Sequence, residues 1–369
     1  MLNTIQAIRG IAALAVVFHH IVFVLHSYGH GGAFFAFMRD TVRPGDAGVD
    51  LFFVVSGFIM VYIRANYVRD GKTQPGRFLA RRAERVIPPY WIYTTAALVL
   101  VLAASLAGQA PEGALSLGSI LKSYLLIPRE GGFLLVVGWT LSYEMLFYFA
   151  FAAGLLFFMN RITHLLAVGG VFLAGVIVGQ LVDLTGTSVV LAFFTLPIIL
   201  EFVIGMVIAH FYLEGKFFGK AAGLVIIAAG IGLFILFNYP VEALNGRSME
   251  ELRSPLQRFV WYGIPSALVV AGALGLEKDW GGKVPKLAVT IGNASYSLYL
   301  SHFLGLHAMG IIWKGLGLNQ SLPDALFAAI LLVVCTVYAV LSYRLVEHHI
   351  INWILGRQAF PGRGRKKPV

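Results

Sequence analysis

The sequence predicts an all-α integral membrane protein with about ten transmembrane helices and with both termini in the cytoplasm. The first supporting observation is composition: the 369 residues are 58% hydrophobic and only 12% charged, with a mean hydropathy of +0.80. Soluble globular proteins carry about 25% charged residues, so that class is excluded. The second observation is the recurrence of apolar segments along the whole chain, and the third is the uneven distribution of lysine and arginine between the intervening loops.

Ten apolar segments are each close to the ~20 residues that a helix needs to cross a bilayer. Their approximate ranges are 5–27, 47–64, 87–107, 135–157, 163–182, 187–211, 220–238, 258–276, 288–312 and 324–346. SLGSILKSYLLIP, at 116–128, is too short to span, and we expect it to form an interfacial or re-entrant helix. The first segment lacks a clear small-residue cleavage site, so we interpret it as a retained helix rather than a signal peptide.

The 28 lysines and arginines predict the orientation. With both termini in the cytoplasm, twenty of them fall on the cytoplasmic side and eight fall outside, as the positive-inside rule requires. Residues 1–349 then form one transmembrane domain, and residues 350–369 form a basic cytoplasmic tail that contacts anionic lipid. The only cysteine, Cys335, excludes an internal disulfide. The net charge of +10 is explained first by topology, and we expect neither a metal nor a nucleic acid as a ligand.

The first segment, IQAIRGIAALAVVFHH at 5–20, carries a cation and two imidazoles inside an apolar helix. Arg9 and His20 are eleven residues apart, which corresponds to about 1100° and a rise of about 16 Å, so they share one helical face. His19 points about 80° away from Arg9. Ionisable side chains inside a membrane are costly and are functional by default. We therefore assign a function to His20, with a structural hydrogen bond between helices as the alternative. For His19 the structural role is the preferred interpretation and a function is the alternative.

Four further apolar segments each carry a titratable side chain, namely Asp50, Glu144, Glu201 and His302. Tyr299 lies three residues before His302 and shares its helical face. A carboxylate beside a histidine orients the ring and stabilises its charged form, which is the arrangement that general-base catalysis needs. A proton relay in a transporter needs the same groups. For each carboxylate a packed, hydrogen-bonded pair is the alternative, and for Glu201 it is the preferred one.

A cluster of arginines precedes the third segment in RFLARRAERVIPPYW, at 77–91. Arg81 and Arg85 are four residues apart and Arg82 and Arg85 are three apart, so each pair shares a helical face. Guanidinium groups bind phosphate bidentately, and this pattern is typical of a phosphate-binding surface. Arginines that flank a membrane helix also occur simply to fix topology and to contact anionic lipid, and this interpretation stays open.

These motifs together resemble the acyltransferase-3 family of integral membrane acyltransferases, in particular the branch that O-acetylates bacterial exopolysaccharides. The matching pieces are IQAIRGIAALAVVFHH, GVDLFFVVSGFIM, RRAERVIPPYW, GWTLSYEMLFYF, SYSLYLSH and LSYRLVEHH, in this order from residue 5 to about residue 349. The most specific feature is an arginine followed, after ten residues, by a histidine, which Arg9 and His20 satisfy. The usual closing motif, Glu-Arg-Pro, is replaced by Glu347-His348-His349, which weakens any role at this end.

The resemblance implies a membrane O-acyltransferase of the bacterial inner membrane. Such an enzyme moves an acetyl group from cytosolic acetyl-CoA to a sugar hydroxyl of an exopolysaccharide or lipid-linked glycan. Membrane lipid is a further expected partner, and a homodimer is one conceivable assembly. The acyl group, the sugar and the side of the membrane from which the acceptor arrives stay open.

The resemblance also assigns roles to individual residues. The catalytic positions are His20, as the base or transient acyl carrier, with the acids Asp50 and Glu144 and the imidazole of His302. The positions that bind the acetyl-CoA donor are Arg9, Arg82, Arg85 and Tyr299, with Arg81 as an additional candidate. We expect His20 to be oriented by Asp50 or Glu144.

The main alternative is a proton-coupled transporter or flippase of a glycan-related substrate. It would use the same buried acids and histidines as a proton relay, and it predicts repeated halves and broken helices. Neither feature is evident in the sequence. A purely structural scaffold explains none of the intramembrane charges.

Overall fold

A computed structural model describes residues 2–41, 43–69, 72–106, 108, 113–182, 184, 186–238 and 255–347. In this part of the chain the secondary structure is helical except for one pair of two-residue antiparallel strands. The predicted fold class, an all-α membrane protein, is therefore confirmed. The predicted basic tail, 350–369, lies outside the described residues.

Fifteen α-helices are described. They are α1 (Asn3–Tyr28), α2 (Ala33–Thr41), α3 (Gly48–Ile63), α4 (Pro75–Leu106), α5 (Leu117–Tyr124), α6 (Gly138–Phe157), α7 (Arg161–Leu181), α8 (Val189–Phe194), α9 (Leu200–Leu213), α10 (Lys220–Asn238), α11 (Pro255–Arg258), α12 (Ile264–Trp280), α13 (Lys286–Asn293), α14 (Ser295–Gly315) and α15 (Asp324–Ser342). The strands β1 (Val68–Arg69) and β2 (Lys72–Thr73) form a hairpin between α3 and α4.

Eight helices of the described chain are long and apolar enough to cross a membrane, and they coincide with eight of the ten predicted segments. The other two predicted segments are interrupted. Segment 187–211 consists of α8, a 3-10 turn at Pro197–Ile199 and α9, because a residue before proline avoids the helical conformation. Segment 288–312 is divided at Ala294 into α13 and α14. The predicted count of ten spans and the orientation remain predictions.

Helix α1 is the central element of the structure. It packs against α3, α12, α13, α14 and α15. Its first half belongs to a large apolar core with α3, α4, α6, α9 and α12, and its second half belongs to a smaller core with α14 and α15. The side chains of α1 therefore reach several helices at once, and this brings distant parts of the sequence to Arg9 and His20.

The start of α1 is anchored by an acid from α12. Glu277 accepts hydrogen bonds from the backbone N–H groups of Asn3 and Thr4, at 3.1 and 2.8 Å, and from the Thr4 hydroxyl at 2.5 Å. The N-cap residue of α1, Leu2, has no side chain that could do this. A carboxylate at a helix N-terminus satisfies free N–H groups and is favoured by the helix dipole. Glu277 thus fixes the position of α1, and with it the depth of Arg9.

The predicted short helix within 116–128 is present as α5. Tyr90 of α4 donates a hydrogen bond to the Ser123 carbonyl at 2.7 Å, which holds α5 against α4. Leu117, Leu121 and Leu125 are exposed at four-residue intervals along one face. An exposed apolar stripe on a helix too short to span favours a position along the membrane surface.

Two glycines bring α3 and α9 into backbone contact. A Cβ atom at Gly57 would lie 2.0 Å from the Phe202 carbonyl oxygen, and one at Gly205 would lie 2.0 Å from the Val54 carbonyl oxygen. Small residues at a crossing allow this close approach between membrane helices. The crossing fixes α3, which contributes to the candidate site described below.

Replacing either glycine with alanine should therefore destabilise the protein. We expect Gly57→Ala and Gly205→Ala each to cost about 1–3 kcal/mol, because the methyl group overpacks a contact between main chains that cannot yield. Gly170→Ala is the matched control, since no atom lies within 4 Å of that position. The measurement is the unfolding temperature of the purified protein in detergent. Equal unfolding temperatures for Gly205→Ala and Gly170→Ala would contradict the close crossing.

Candidate active site

A polar cavity lies between α1, α3, α4, α6 and α14. Its polar lining comprises Arg9, Ser56, Arg82, Arg85, Thr140, Glu144, Tyr148, Ser295, Tyr296 and Tyr299. Five of the nine predicted site residues are therefore brought together here: Arg9, Arg82, Arg85, Glu144 and Tyr299. They come from four different helices, and the packing of α4 against α6 and α14, together with that of α1 against α14, brings them together.

A second cavity adjoins the first and shares Ile59, Arg82 and Arg85 with it. It is also lined by Leu2 and Ile63, which mark the start of α1 and the end of α3. The second cavity therefore lies on the side of the first that faces the end of the bundle predicted to be cytoplasmic. An anionic ligand from that side would meet the arginines first.

The arginine cluster divides into residues that face the cavities and residues that do not. Arg82 and Arg85 line both cavities, and the buried Nε of Arg82 has no hydrogen-bond partner among the described residues. Arg81 lines neither and lies 3.9 Å from Glu84 in a half-buried ion pair. Arg82, Arg85 and Arg9 are thus available to an anion, and guanidinium groups suit phosphate. The structure does not bring Arg81 to this site.

Glu144 faces the same cavity from α6. It accepts a hydrogen bond from Ser56 at 3.3 Å and a short one from Tyr148. The sequence analysis did not identify Ser56 or Tyr148, although the four-residue spacing of Glu144 and Tyr148 is a signal that was present. Glu144 therefore contacts other cavity residues, and it forms no hydrogen bond with His20 in the described chain.

Tyr299 is fixed in the cavity wall. Its hydroxyl lies 2.7 Å from the Thr140 hydroxyl, which itself donates to the Val137 carbonyl at 3.0 Å. Since the single hydroxyl hydrogen of Thr140 is engaged, Tyr299 is the donor in this pair. The Tyr299 ring also lies 5.8 Å from the ring of His302, so it connects the cavity wall to the next layer of the site.

His302 and His20 form that layer. His302 is fully buried, its ring centroid is 4.9 Å from that of His20, and neither residue lines the cavity. Each Nδ1 bonds a main-chain carbonyl four residues earlier, Val16 at 2.9 Å for His20 and Leu298 at 3.1 Å for His302. A carbonyl oxygen only accepts, so each Nδ1 carries the hydrogen and each Nε2 keeps a lone pair. A series of ring contacts thus leads away from the cavity, from Tyr299 through His302 to His20.

Asp50 belongs to a separate cluster at the start of α3. Arg258 lies 2.9 Å from Asp50 and 2.5 Å from Asp46, and the fully buried Glu201 interacts electrostatically with both Asp50 and Arg258. We expected Asp50 to orient His20, but its resolved partner is Arg258, because a buried carboxylate needs a cation nearby. Arg258 was not among the predicted site residues. Two buried acids without an assigned cation were the signal that could have identified it.

Near the end of the described chain, Glu347 is buried and accepts a hydrogen bond from Ser297 at 2.7 Å. Ser297 is on α14, between the cavity residues Tyr296 and Tyr299. Glu347, the first residue of the closing motif, thus contacts the helix that carries Tyr296 and Tyr299. His348 and His349 lie outside the described residues.

Comparison with known proteins shows the family of the chain. Residues 2–344 match the acyltransferase domain family. The exopolysaccharide production protein ExoZ of Rhizobium meliloti (strain 1021) is 36% identical over 315 residues, which is 84% of this chain and 90% of that protein. No solved structure matches the chain.

Proposed function

Because the chain belongs to the acyltransferase domain family, we propose that it transfers an acetyl group from cytosolic acetyl-CoA to a sugar hydroxyl of an exopolysaccharide or of its lipid-linked precursor. The acceptor class is supported by the similarity to ExoZ, whose name refers to exopolysaccharide production. The eight long apolar helices support a location in a membrane, and we assign it to the bacterial inner membrane.

The observation that carries the proposal is the arginine-lined cavity. Coenzyme A is a polyanion with a diphosphate and a further phosphate, joined through a long neutral arm to the thioester. Arg9, Arg82 and Arg85 supply three guanidinium groups to these adjoining cavities, and the Arg82 Nε is buried without a partner in the described chain. Bidentate binding of phosphate by arginine satisfies such donors.

The spacing of Arg9 and His20 along α1 suits an elongated donor. Arg9 and His20 are separated by about 16 Å along the axis of α1. Phosphates held near Arg9 and Arg85 would allow the arm to extend toward Tyr299, with the acetyl group beyond it at His302 and His20. The reacting thioester is then kept away from bulk water, which prevents its hydrolysis.

His20 performs the chemistry in this proposal. The sugar oxygen attacks the thioester carbonyl carbon, the new C–O bond forms, and the C–S bond breaks. The Nε2 lone pair of His20 takes the hydroxyl proton, and the proton then passes to the departing thiolate. If an acetyl group is first carried on His20, the same lone pair attacks the thioester, so both routes use the same nitrogen.

The test is transfer of radiolabel by the purified protein in proteoliposomes. Labelled acetyl-CoA is added together with a membrane extract that contains the host's own lipid-linked glycans and polysaccharide. We expect base-labile label in the glycan fraction with acetyl-CoA, and much less from succinyl-CoA. Absence of label from every acyl-CoA tested would contradict the proposal.

A transporter or flippase is the second candidate, and two observations favour it. The sixth and ninth predicted segments are interrupted, as is common in transporters, and Arg258 with its carboxylate partners could relay protons. This function predicts movement of a lipid-linked glycan that depends on a proton gradient and not on acetyl-CoA. Our proposal predicts that a proton gradient alone moves no glycan.

A further inference from the structure

Gln6 is a buried polar residue on α1, next to the cavity residue Arg9. Its side chain is 5% exposed, it lies one turn before Arg9 on α1, and it does not line the cavity. A buried amide is retained only when its donors and acceptors are satisfied. Its partners therefore indicate what the side chain does.

The amide of Gln6 connects two residues. Its Oε1 accepts a hydrogen bond from the Arg9 guanidinium at 3.1 Å, and its Nε2 donates to the Asn293 Oδ1 at 2.7 Å. A guanidinium group can only donate, so this contact fixes which end of the amide faces Arg9. Asn293 must then present its oxygen to Gln6. The series Asn293, Gln6, Arg9 therefore has one defined direction.

The main chains reinforce this connection. A Cβ atom at Gly292 would lie 1.9 Å from the Gln6 carbonyl oxygen, and one at Gly10 would lie 3.1 Å from the Gly292 nitrogen. Helices α1 and α13 thus touch at the residues that flank the two amides. Asn293 is the last residue of α13, directly before the interruption at Ala294 and the start of α14. The two amides therefore link the guanidinium on α1 to the end of α13, two residues before the start of α14, which carries Tyr299.

We propose that Gln6 and Asn293 are positioning residues that hold the Arg9 guanidinium toward the acyl-CoA phosphates. This inference rests on the proposed function. A free arginine side chain loses rotamer freedom when it binds, and a preformed hydrogen bond removes part of that cost in advance. Neither amide touches the substrate; each acts through Arg9.

The first test is Gln6→Leu, which removes both hydrogen bonds at a similar side-chain size. We expect the KM for acetyl-CoA to rise about tenfold, the change that corresponds to loss of one charge-assisted hydrogen bond. The KM for the glycan acceptor and the value of kcat at saturating donor should change little. A merely structural role would lower the amount of folded enzyme without separating the two KM values.

The second test uses Gln6→Glu, Asn293→Asp and the double variant. In Gln6→Glu the Asn293 amide can turn and donate its NH₂ to the new carboxylate, and in Asn293→Asp the Gln6 NH₂ donates to the new carboxylate. The double variant leaves two acceptors facing each other. Because the residues are in direct contact, its acetyl-CoA KM should exceed the product of the two single effects.

The outcomes separate the two proposals. If the wild-type protein transfers no acyl group from acetyl-CoA, the proposed function fails. If the wild type is active, two results would overturn only the positioning role. One is an unchanged acetyl-CoA KM in Gln6→Leu, and the other is a double variant whose increase in acetyl-CoA KM equals the product of the two single increases. If Gln6→Leu does not fold, the double-variant comparison decides alone.

Discussion

Replacing His20 with alanine is expected to lower the rate of acyl transfer by about a hundred- to ten-thousandfold, the range for loss of a general acid–base group. The physical reason is the free lone pair on its Nε2, which follows from the bond between Nδ1 and the Val16 carbonyl. Among the described residues, none that lines the cavity is a histidine, and the ring of His20 lies 4.9 Å from that of His302. The measurement is the single-turnover rate with labelled acetyl-CoA at saturating donor.

His19→Ala is the matched control for this experiment. His19 precedes His20 on the same helix, and its ring centroid lies 5.3 Å from that of His20. It is not in ring contact with His302 in the described structure, so we expect it to lose less than about tenfold in rate. Wild-type turnover in His20→Ala, or equal loss in both variants, would overturn the assignment of His20.

The double variant Arg82→Ala with Arg85→Ala is expected to raise the KM for acetyl-CoA by about a hundredfold or more. Each guanidinium that binds a phosphate is expected to contribute about tenfold or more, as hydrogen bonds to charged groups do. Both arginines line the inner cavity and its outer neighbour, so they meet the phosphates wherever these enter. At saturating acetyl-CoA the double variant should keep much of the wild-type kcat, since the base at His20 is intact. The measurement is steady-state kinetics with varied donor.

Arg81→Ala is the control for the arginine pair, because it removes one positive charge from the same helix at a position that lies outside both cavities. We expect its KM to stay within about twofold of wild type, as for a half-buried ion pair of small energy. Equal KM increases in Arg81→Ala and in the pair would mean that the cluster acts only through overall charge. The arginines would then be a topology signal rather than a donor site.

The sequence was sufficient to predict the fold class and the arginines of the cavity. Helical spacing predicted that Arg85 shares a face with both Arg81 and Arg82, but it could not decide between them. The structure shows that Arg82 and Arg85 line the cavity and that Arg81 does not. That choice depends on how α4 rotates against α1 and α6, and such rotation is set by packing between helices rather than within one.

The partners of the acids could not be predicted. Asp50 and Arg258 are 208 residues apart in the chain, and Ser56 and Glu144 are 88 apart. Spacing rules apply only within one helix, so they give no information on contacts of this kind. The expectation that Asp50 or Glu144 orients His20 followed from residue types alone. In the structure a main-chain carbonyl orients the ring instead.

The interruptions in two predicted spans were also missed. Hydropathy is averaged over a window of about 19 residues, so a break of a few residues disappears within an apolar segment. Pro197 was a local signal for the first break. For the second, Asn293 is held by Gln6 from α1, which sequence periodicity cannot reveal.

The central claim is that the arginine-lined cavity binds the acyl-CoA donor and that His20 acts on it. The most direct measurement is equilibrium binding of acetyl-CoA and of desulfo-CoA to the purified wild-type, Arg82→Ala/Arg85→Ala and His20→Ala proteins. We predict that each ligand binds wild type and His20→Ala with similar Kd values. The Arg82→Ala/Arg85→Ala substitutions should raise the Kd of acetyl-CoA and of desulfo-CoA by a similar factor. No binding to the wild-type protein, or binding that is unchanged in the arginine variant, would contradict the claim.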